Sequence, residues 1–247
     1  IPHYLKEVKK GKGAIQNIED ICFENDGFLT DEFVNLYPAL FENAENHIEV
    51  IRALATKWKG LTRSEIIKLT ILSNGGGLTK VLSELNYSGF ISEYYPFGKR
   101  KKDMLYRLTD EYSLFYLQFI EDKQHDGRGT WQHLSQTQNY TSWSGYAFEN
   151  ICLQHIPQIK KALGITGVYS ISAAFSQKGT AEKPGTQIDL VIDRNDHIVN
   201  LFEIKFYNTY FVLSKADAKS LREKMAIFQA FTKNKKHVFT SSTTAST

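Results

Sequence analysis

The stretch Gln187-Ile-Asp-Leu-Val-Ile-Asp-Arg-Asn-Asp-His-Ile-Val-Asn-Leu-Phe-Glu-Ile-Lys-Phe206 decides the fold of the C-terminal part of this 247-residue chain. It contains two runs of strand-forming residues, 187–193 and 199–206, separated by the polar turn Asn195-Asp196. A connection this short leaves no room for a helical crossover. The two runs are therefore predicted to form an antiparallel hairpin.

Acidic side chains interrupt the apolar strands of this hairpin. Strict alternation predicts that Asp189 shares a face with Gln187 and Val191, while Glu203 and Lys205 share a face on the other strand, so that the polar groups line one side. Two carboxylates on neighbouring strands repel each other unless a cation offsets the repulsion, and a divalent metal ion or Lys205 could do so. An ordinary ion pair between strands is the alternative.

The flanking segments predict a mixed α/β domain over residues 135–247. Residues 144–153 form a predicted helix that carries Glu149, and residues 169–175 form a predicted strand. A basic helix is predicted at about 215–232.

The pair Asp189 and Glu203-Ile-Lys205, behind a helix that carries Glu149, resembles the PD-(D/E)xK nuclease superfamily. The resemblance implies a restriction-endonuclease-like fold in which Asp189, Glu203 and Glu149 bind Mg²⁺ or Mn²⁺, with the carbonyl of Ile204 as a further ligand. It also implies that Lys205 orients or deprotonates the attacking water. The chain departs from the pattern because Gln187-Ile188 stands in place of Pro-Asp.

A second motif lies upstream, over residues 59–121. Thr62-Arg-Ser-Glu65 predicts a capping box at the start of one helix, and Asn74-Gly-Gly-Gly77 separates that helix from a second over about 77–88. A basic hairpin follows over about 90–109. Helix, turn, helix and hairpin in this order are typical of a winged helix-turn-helix.

The tip of this hairpin carries four successive cations and is predicted to contact nucleic-acid phosphates: Lys99, Arg100, Lys101 and Lys102. The second helix offers few polar side chains for reading bases, which predicts weak sequence preference. The alternative is that the module docks on protein and that its cations are merely solvated. Winged helices serve both uses.

The remaining organisation predicts an α+β chain cut from a longer protein. Ile1-Pro-His-Tyr-Leu5 resembles the segment that follows the sensor region in an archaeal and bacterial AAA+ ATPase family, whose C-terminal region is also similar to residues 143–149, 187–194 and 202–206. The resemblance implies that residues 1–58 are a remnant of the ATPase lid. Residues 122–134 are predicted to be a linker. ATP would bind only in the missing N-terminal part, because this chain has no Walker motif.

Composition limits the functional classes. The net charge is only +3, but residues 96–107 carry +4 and residues 214–236 carry +5. A nucleic-acid-binding surface has such a distribution, and a solvated helix face often has the same one. Cys22 and Cys152 have apolar neighbours and form no CxxC pair, which favours buried thiols and the cytoplasm. No apolar run reaches the roughly 20 residues that span a bilayer.

Two functional hypotheses follow from the sequence. The first is a DNA-associated module that cleaves phosphodiester bonds with Mg²⁺ and is positioned by the missing ATPase domain. The second is a non-catalytic module that binds DNA or docks on protein. The sequence is compatible with an oligomer and does not specify one.

Overall fold

The structure is a computed structural model that describes residues 3–99, 103–121, 128–179, 184–207, 211–233 and 236–246. It contains both helices and two sheets, which confirms the predicted α+β class. The chain divides into two compact units. The first extends to Glu93 and resumes over Tyr106–Trp143, and the second comprises Tyr94–Leu105 and the chain from Ser144 onward.

The first unit begins with helices. A short 3-10 turn at Tyr4–Glu7 precedes α1 (Ala14–Cys22), α2 (Glu32–Leu40) and α3 (Ala44–Ala55). Helical spacing of apolar residues predicts one buried stripe on α3, and Ile51 and Leu54 are indeed fully buried. This stripe packs the helix into the core of the unit.

The predicted succession of helix, turn, helix and hairpin is present. It consists of β1 (Leu61–Thr62), α4 (Arg63–Leu69), α5 (Gly76–Tyr87), β2 (Ile91–Tyr94) and β3 (Leu105–Leu108), followed by α6 (Glu111–Phe119). The strands form a sheet in the order β1-β3-β2. The capping box is confirmed, because the Thr62 N–H donates to Glu65 Oε2 at 2.7 Å and the Glu65 N–H donates to Thr62 Oγ1 at 3.3 Å.

Part of the segment predicted as a linker, residues 128–134, is described by the structure and is folded. Residues 128–134 include the short helix α7 (Thr130–Leu134), and the Trp131 side chain is only 2% exposed. The indole stacks on Phe23 at 5.6 Å between ring centroids and meets Phe115 edge-on at 5.1 Å. The units instead divide between Trp143 and Ser144, inside helix α8 (Gln138–Gln154).

The second unit is built on a four-stranded sheet. Its elements are α9 (Ile156–Ala162), β4 (Ser170–Gln177), β5 (Thr186–Arg194), β6 (Ile198–Tyr207), α10 (Lys215–Thr232) and β7 (His237–Ser246). The strand order is β4-β5-β6-β7. Strands β5 and β6 pair antiparallel, which confirms the predicted hairpin, whereas β7 pairs parallel with β6 and was not predicted.

Helices cover both faces of this sheet. On one face, Leu190, Ile192, Phe202 and Ile204 form an apolar cluster with Cys152 of α8. On the other face, Val191, Val199 and Leu201 pack with Phe228 of α10, which is fully buried. Apolar residues therefore occupy successive positions of β5, as expected for a strand that is buried on both sides.

The N-terminal arm of the basic hairpin packs in the second unit. The Phe97 N–H donates to the Ala174 carbonyl of β4 at 2.7 Å, and the Phe97 ring lies 5.2 Å from that of Phe228. Phe97 thus extends one apolar cluster of the sheet. Of the predicted phosphate contacts, Lys99 is exposed, whereas Arg100, Lys101 and Lys102 lie outside the described residues.

Candidate active site

Asp189 lies at a β-bulge. In the pairing of β4 with β5, Ala173 is opposite Val191 and Phe175 is opposite Ile188. One residue of β4 lies between these two pairs, whereas β5 has two there, Asp189 and Leu190, which is the definition of a bulge. The extra residue breaks the alternation of side chains. The prediction that Asp189 shares a face with Val191 does not hold, because Ile188 packs in the same cluster as Val191.

The Asp189 carboxylate bridges the two central strands. Its Oδ2 accepts a hydrogen bond from the Ile204 N–H at 2.9 Å, and its Oδ1 accepts one from Gln187 Nε2 at 3.4 Å. The backbone pairing of β5 with β6 extends only to Leu190 opposite Phe202. The carboxylate therefore supplies an acceptor to β6 at the point where the strand backbones stop pairing.

The surroundings of Asp189 favour its protonated form. Burial is the largest influence and, with the negative charges of Glu149 and Glu203, raises the Asp189 pKa to about 6. The Ile204 N–H and the charge of Lys224 act in the opposite direction. Glu149 is itself buried, at 8% exposed, on α8. The structure thus brings Glu149 and Glu203 within electrostatic reach of Asp189.

Glu203 is bound by lysine side chains. Its Oε2 accepts a hydrogen bond from Lys224 Nζ of α10 at 2.5 Å, and its Oε1 lies 3.8 Å from Lys205 Nζ. Lys205 also lies 3.9 Å from Asp217 Oδ1. Lys224 is a site residue that sequence reasoning missed, because it was counted only as one charge of a basic helix. Lys224 precedes the apolar Phe228 by four residues, and this spacing could have predicted that it lies on the helix face that packs against the sheet.

A small cleft adjoins these groups. It is lined by Glu203, Lys205, Phe211, Asp217, Ser220, Leu221, Ser242 and Thr244. Ser242 and Thr244 stand opposite Glu203 and Lys205 in the parallel register of β7. These hydroxyl-bearing residues were missed because β7 itself was not predicted.

The donor set has the chemistry that Mg²⁺ or Mn²⁺ prefers. Carboxylates of Asp189, Glu203 and Glu149, with the carbonyl of Ile204, are all oxygen ligands, and their mutual repulsion is what a divalent cation would relieve. In the described part of the chain, however, no group of three or more His, Cys, Asp or Glu side chains is spaced to hold a metal ion. Coordination would therefore require the side chains to move, and Glu203 would have to give up its ion pair with Lys224.

Polar side chains of α5, the candidate recognition helix, contact other parts of the first unit. Thr79 Oγ1 accepts a hydrogen bond from Arg63 at 3.0 Å, and Glu84 Oε2 lies 2.9 Å from Nε2 of the buried His47. Lys80 lies 3.7 Å from Glu84 Oε1. These contacts reduce the polar groups that α5 offers to a partner.

Comparison with known proteins gave no family to which the chain could be assigned: no family model matches it, and no curated protein does either. Among the described residues, no helix is both long and apolar enough to cross a membrane.

Proposed function

We propose that the second unit hydrolyses phosphodiester bonds of DNA with the help of Mg²⁺, as the C-terminal part of an AAA+ family ATPase. The observation that carries the proposal is the buried Asp189 carboxylate, which accepts the Ile204 N–H of the neighbouring strand and lies within electrostatic reach of Glu149 and Glu203, with Lys205 beside Glu203. A buried acid with a raised pKa beside other acidic groups, as Asp189 is, is typical of functional sites. The resemblance to PD-(D/E)xK nucleases gives this cluster its proposed role.

Each side chain has a distinct task in this proposal. Bound at the carboxylates, Mg²⁺ would supply Lewis acidity that stabilises the charge developing on the phosphate. Asp189 and Glu203 of the two central strands would hold the ion, together with Glu149 of α8 and the carbonyl of Ile204. Lys205, at 43% exposed and held only at 3.8 and 3.9 Å from Glu203 and Asp217, would turn toward an attacking water and favour its deprotonation.

The elements from β1 to β3, with the basic hairpin between β2 and β3, would hold the DNA. We propose that β1, α4, α5, β2 and β3 form a winged helix and that the hairpin cations, including Lys99, contact phosphates. The order of these elements and the exposed Lys99 side chain support the proposal.

Incubation of the chain with DNA and Mn²⁺ or Mg²⁺ tests the proposed activity. We expect the wild type to nick or degrade DNA, and Glu203→Ala and Lys205→Ala to lose at least about 100-fold in rate, since removal of a catalytic acid-base group typically costs this much. Equal cutting by all three proteins would trace the activity to a contaminant and contradict the proposal.

A second candidate function is a non-catalytic module that binds DNA or docks on a partner protein. The observation that favours it is the close Lys224–Glu203 ion pair, which satisfies the Glu203 carboxylate without a metal ion. Calorimetric titration with Mn²⁺ separates the two functions. Binding that disappears in Asp189→Asn supports the metal-dependent function, whereas absence of binding with retained DNA affinity supports the second.

A further inference from the structure

Two lysines lie beside Glu203, and the closer one is outside the Glu-Ile-Lys motif. Lys224 Nζ approaches Glu203 Oε2 to 2.5 Å, whereas Lys205 Nζ is 3.8 Å from Oε1. The Lys224 side chain is 24% exposed and that of Glu203 is 16% exposed, while Lys205 is 43% exposed. The pair with Lys224 is therefore better shielded from solvent than the pair with Lys205. Shielding from water strengthens the attraction between two opposite charges.

The position of Lys224 follows from the packing of α10. Phe228, one helical turn further on, is fully buried against the sheet, and Met225 packs against the same cluster. Leu221, one turn earlier, lines the cleft beside Glu203. Since residues three or four apart share a helix face, burial of these apolar neighbours directs Lys224 toward the sheet.

The charge of Lys224 acts on more than one acid. It contacts Glu203 directly and also opposes the rise in the Asp189 pKa. Lys205, by contrast, lies between Glu203 and Asp217 at 3.8 and 3.9 Å. Lys224 is thus the cation whose charge stabilises the ionised forms of both predicted metal ligands, Glu203 and Asp189.

We propose that Lys224 is the built-in counter-cation of the candidate site: it holds Glu203 in an ion pair until a divalent cation takes its place, and so sets the metal affinity of the site. The inference rests on the proposed function for the identity of that cation. Lys224 is a positioning residue because it acts through Glu203. A divalent ion must displace Lys224 from Glu203. The free energy of breaking this ion pair therefore weakens the binding of the metal ion.

Titration of the full chain with Mn²⁺ alone, followed by calorimetry, tests the inference. We expect Lys224→Met, which keeps the length of the side chain but removes its charge, to bind Mn²⁺ about tenfold more tightly than the wild type. Lys224→Gln should shift affinity in the same direction. Lys224→Arg keeps the cation and should retain the wild-type affinity.

Two controls separate a specific ion pair from a general change in charge. Lys219→Met removes one charge from the same helix at a side chain that is 78% exposed and should leave Mn²⁺ affinity unchanged. In a Glu203→Gln background, Lys224→Met should give no gain, because the carboxylate that it releases is gone. Circular dichroism of each variant checks that the helix is intact.

The inference is overturned if Lys224→Met and Lys224→Gln bind Mn²⁺ as the wild type does, or if Lys219→Met gives the same gain. DNA hydrolysis distinguishes this failure from that of the proposed function. Tighter Mn²⁺ binding without hydrolysis in any variant supports the inference and contradicts the nuclease proposal. Hydrolysis by the wild type, with unchanged Mn²⁺ affinity in both Lys224 variants, supports the nuclease proposal and contradicts the inference about Lys224. Mn²⁺ binding that never depends on Asp189 overturns both.

Discussion

At the scale of single residues, the chemistry concentrates on Asp189. Its carboxylate is placed by a bulge, accepts the Ile204 N–H and stands near two other acids. An ionised carboxylate in such a place costs folding free energy. The same cost would favour a divalent cation, because the cation offsets both the burial and the repulsion.

The raised Asp189 pKa predicts a pH dependence of stability. Since the folded protein holds this proton more tightly than the unfolded chain, the contribution of Asp189 to the free energy of unfolding falls as pH rises from 3.8 through about 6. Asp189→Asn removes this loss. In a metal chelator, the stability of the variant relative to the wild type should increase by about 1 to 3 kcal/mol between pH 4 and pH 7.5.

Urea denaturation of both proteins at the two pH values measures this difference. The comparison cancels the titration of the groups that do not interact with residue 189, because the two proteins differ only there. A relative stability that stays constant with pH, or that moves in the opposite direction, would show that Asp189 titrates normally.

At the scale of elements, a buried carboxylate fixes the start of α7. Glu19 of α1 is 8% exposed and accepts the backbone N–H groups of Gly129, Trp131 and Gln132 at 3.1, 2.9 and 3.2 Å. These donors belong to a helix start and have no partner within the helix. A side chain more than 100 residues away in sequence therefore caps α7.

Glu19→Gln should destabilise the first unit. The amide cannot serve all three donors, and its own NH₂ group faces some of them, so we expect a loss of about 1 to 3 kcal/mol in the free energy of unfolding. Urea denaturation monitored by tryptophan fluorescence measures it, since Trp131 is next to the cap. Glu24→Gln is the matched control, because Glu24 pairs with the exposed Arg128 and should matter less. Equal losses would contradict the capping role.

The hairpin arm is a second element whose role depends on tertiary contacts. Phe97 packs on Phe228 and Phe175 of the second unit, so Phe97→Ala should destabilise that unit by about 1 to 3 kcal/mol. Hydrogen exchange at β4 and β5 amides is the measurement. Tyr95→Ala, at a neighbouring side chain that is 42% exposed, is the control. Faster exchange confined to the first unit would refute the assignment.

At the scale of the whole molecule, charge predicts how DNA would bind. The hairpin cations and the basic segment 214–236 stand out against a net charge of only +3. Some of these cations are engaged within the protein: Lys224 pairs with Glu203, and Lys236 pairs with Asp193 at 2.6 Å. The basic segment 214–236 therefore offers fewer unpaired charges to a partner than the sequence indicates, which leaves the hairpin as the stronger candidate for DNA binding.

Replacing Lys99, Arg100, Lys101 and Lys102 with alanine should lower DNA affinity and flatten its dependence on salt. Each phosphate contact adds about 0.9 to the slope of log K against log salt concentration, so loss of four contacts reduces the slope by about 3 to 4. Fluorescence anisotropy with labelled duplex DNA at several salt concentrations measures it. A slope equal to that of the wild type would remove the hairpin from the DNA-binding role.

The sequence by itself determined the α+β class, the Thr62–Glu65 capping box and the hairpin of β5 and β6, because capping, turn length and apolar runs act over a few residues. It also singled out Glu149, Asp189 and Glu203. Only the tertiary structure decided that a bulge places Asp189, that Lys224 faces Glu203, that β7 completes the sheet and that Trp131 is core. These features depend on contacts between segments distant in the chain, which local periodicity does not encode.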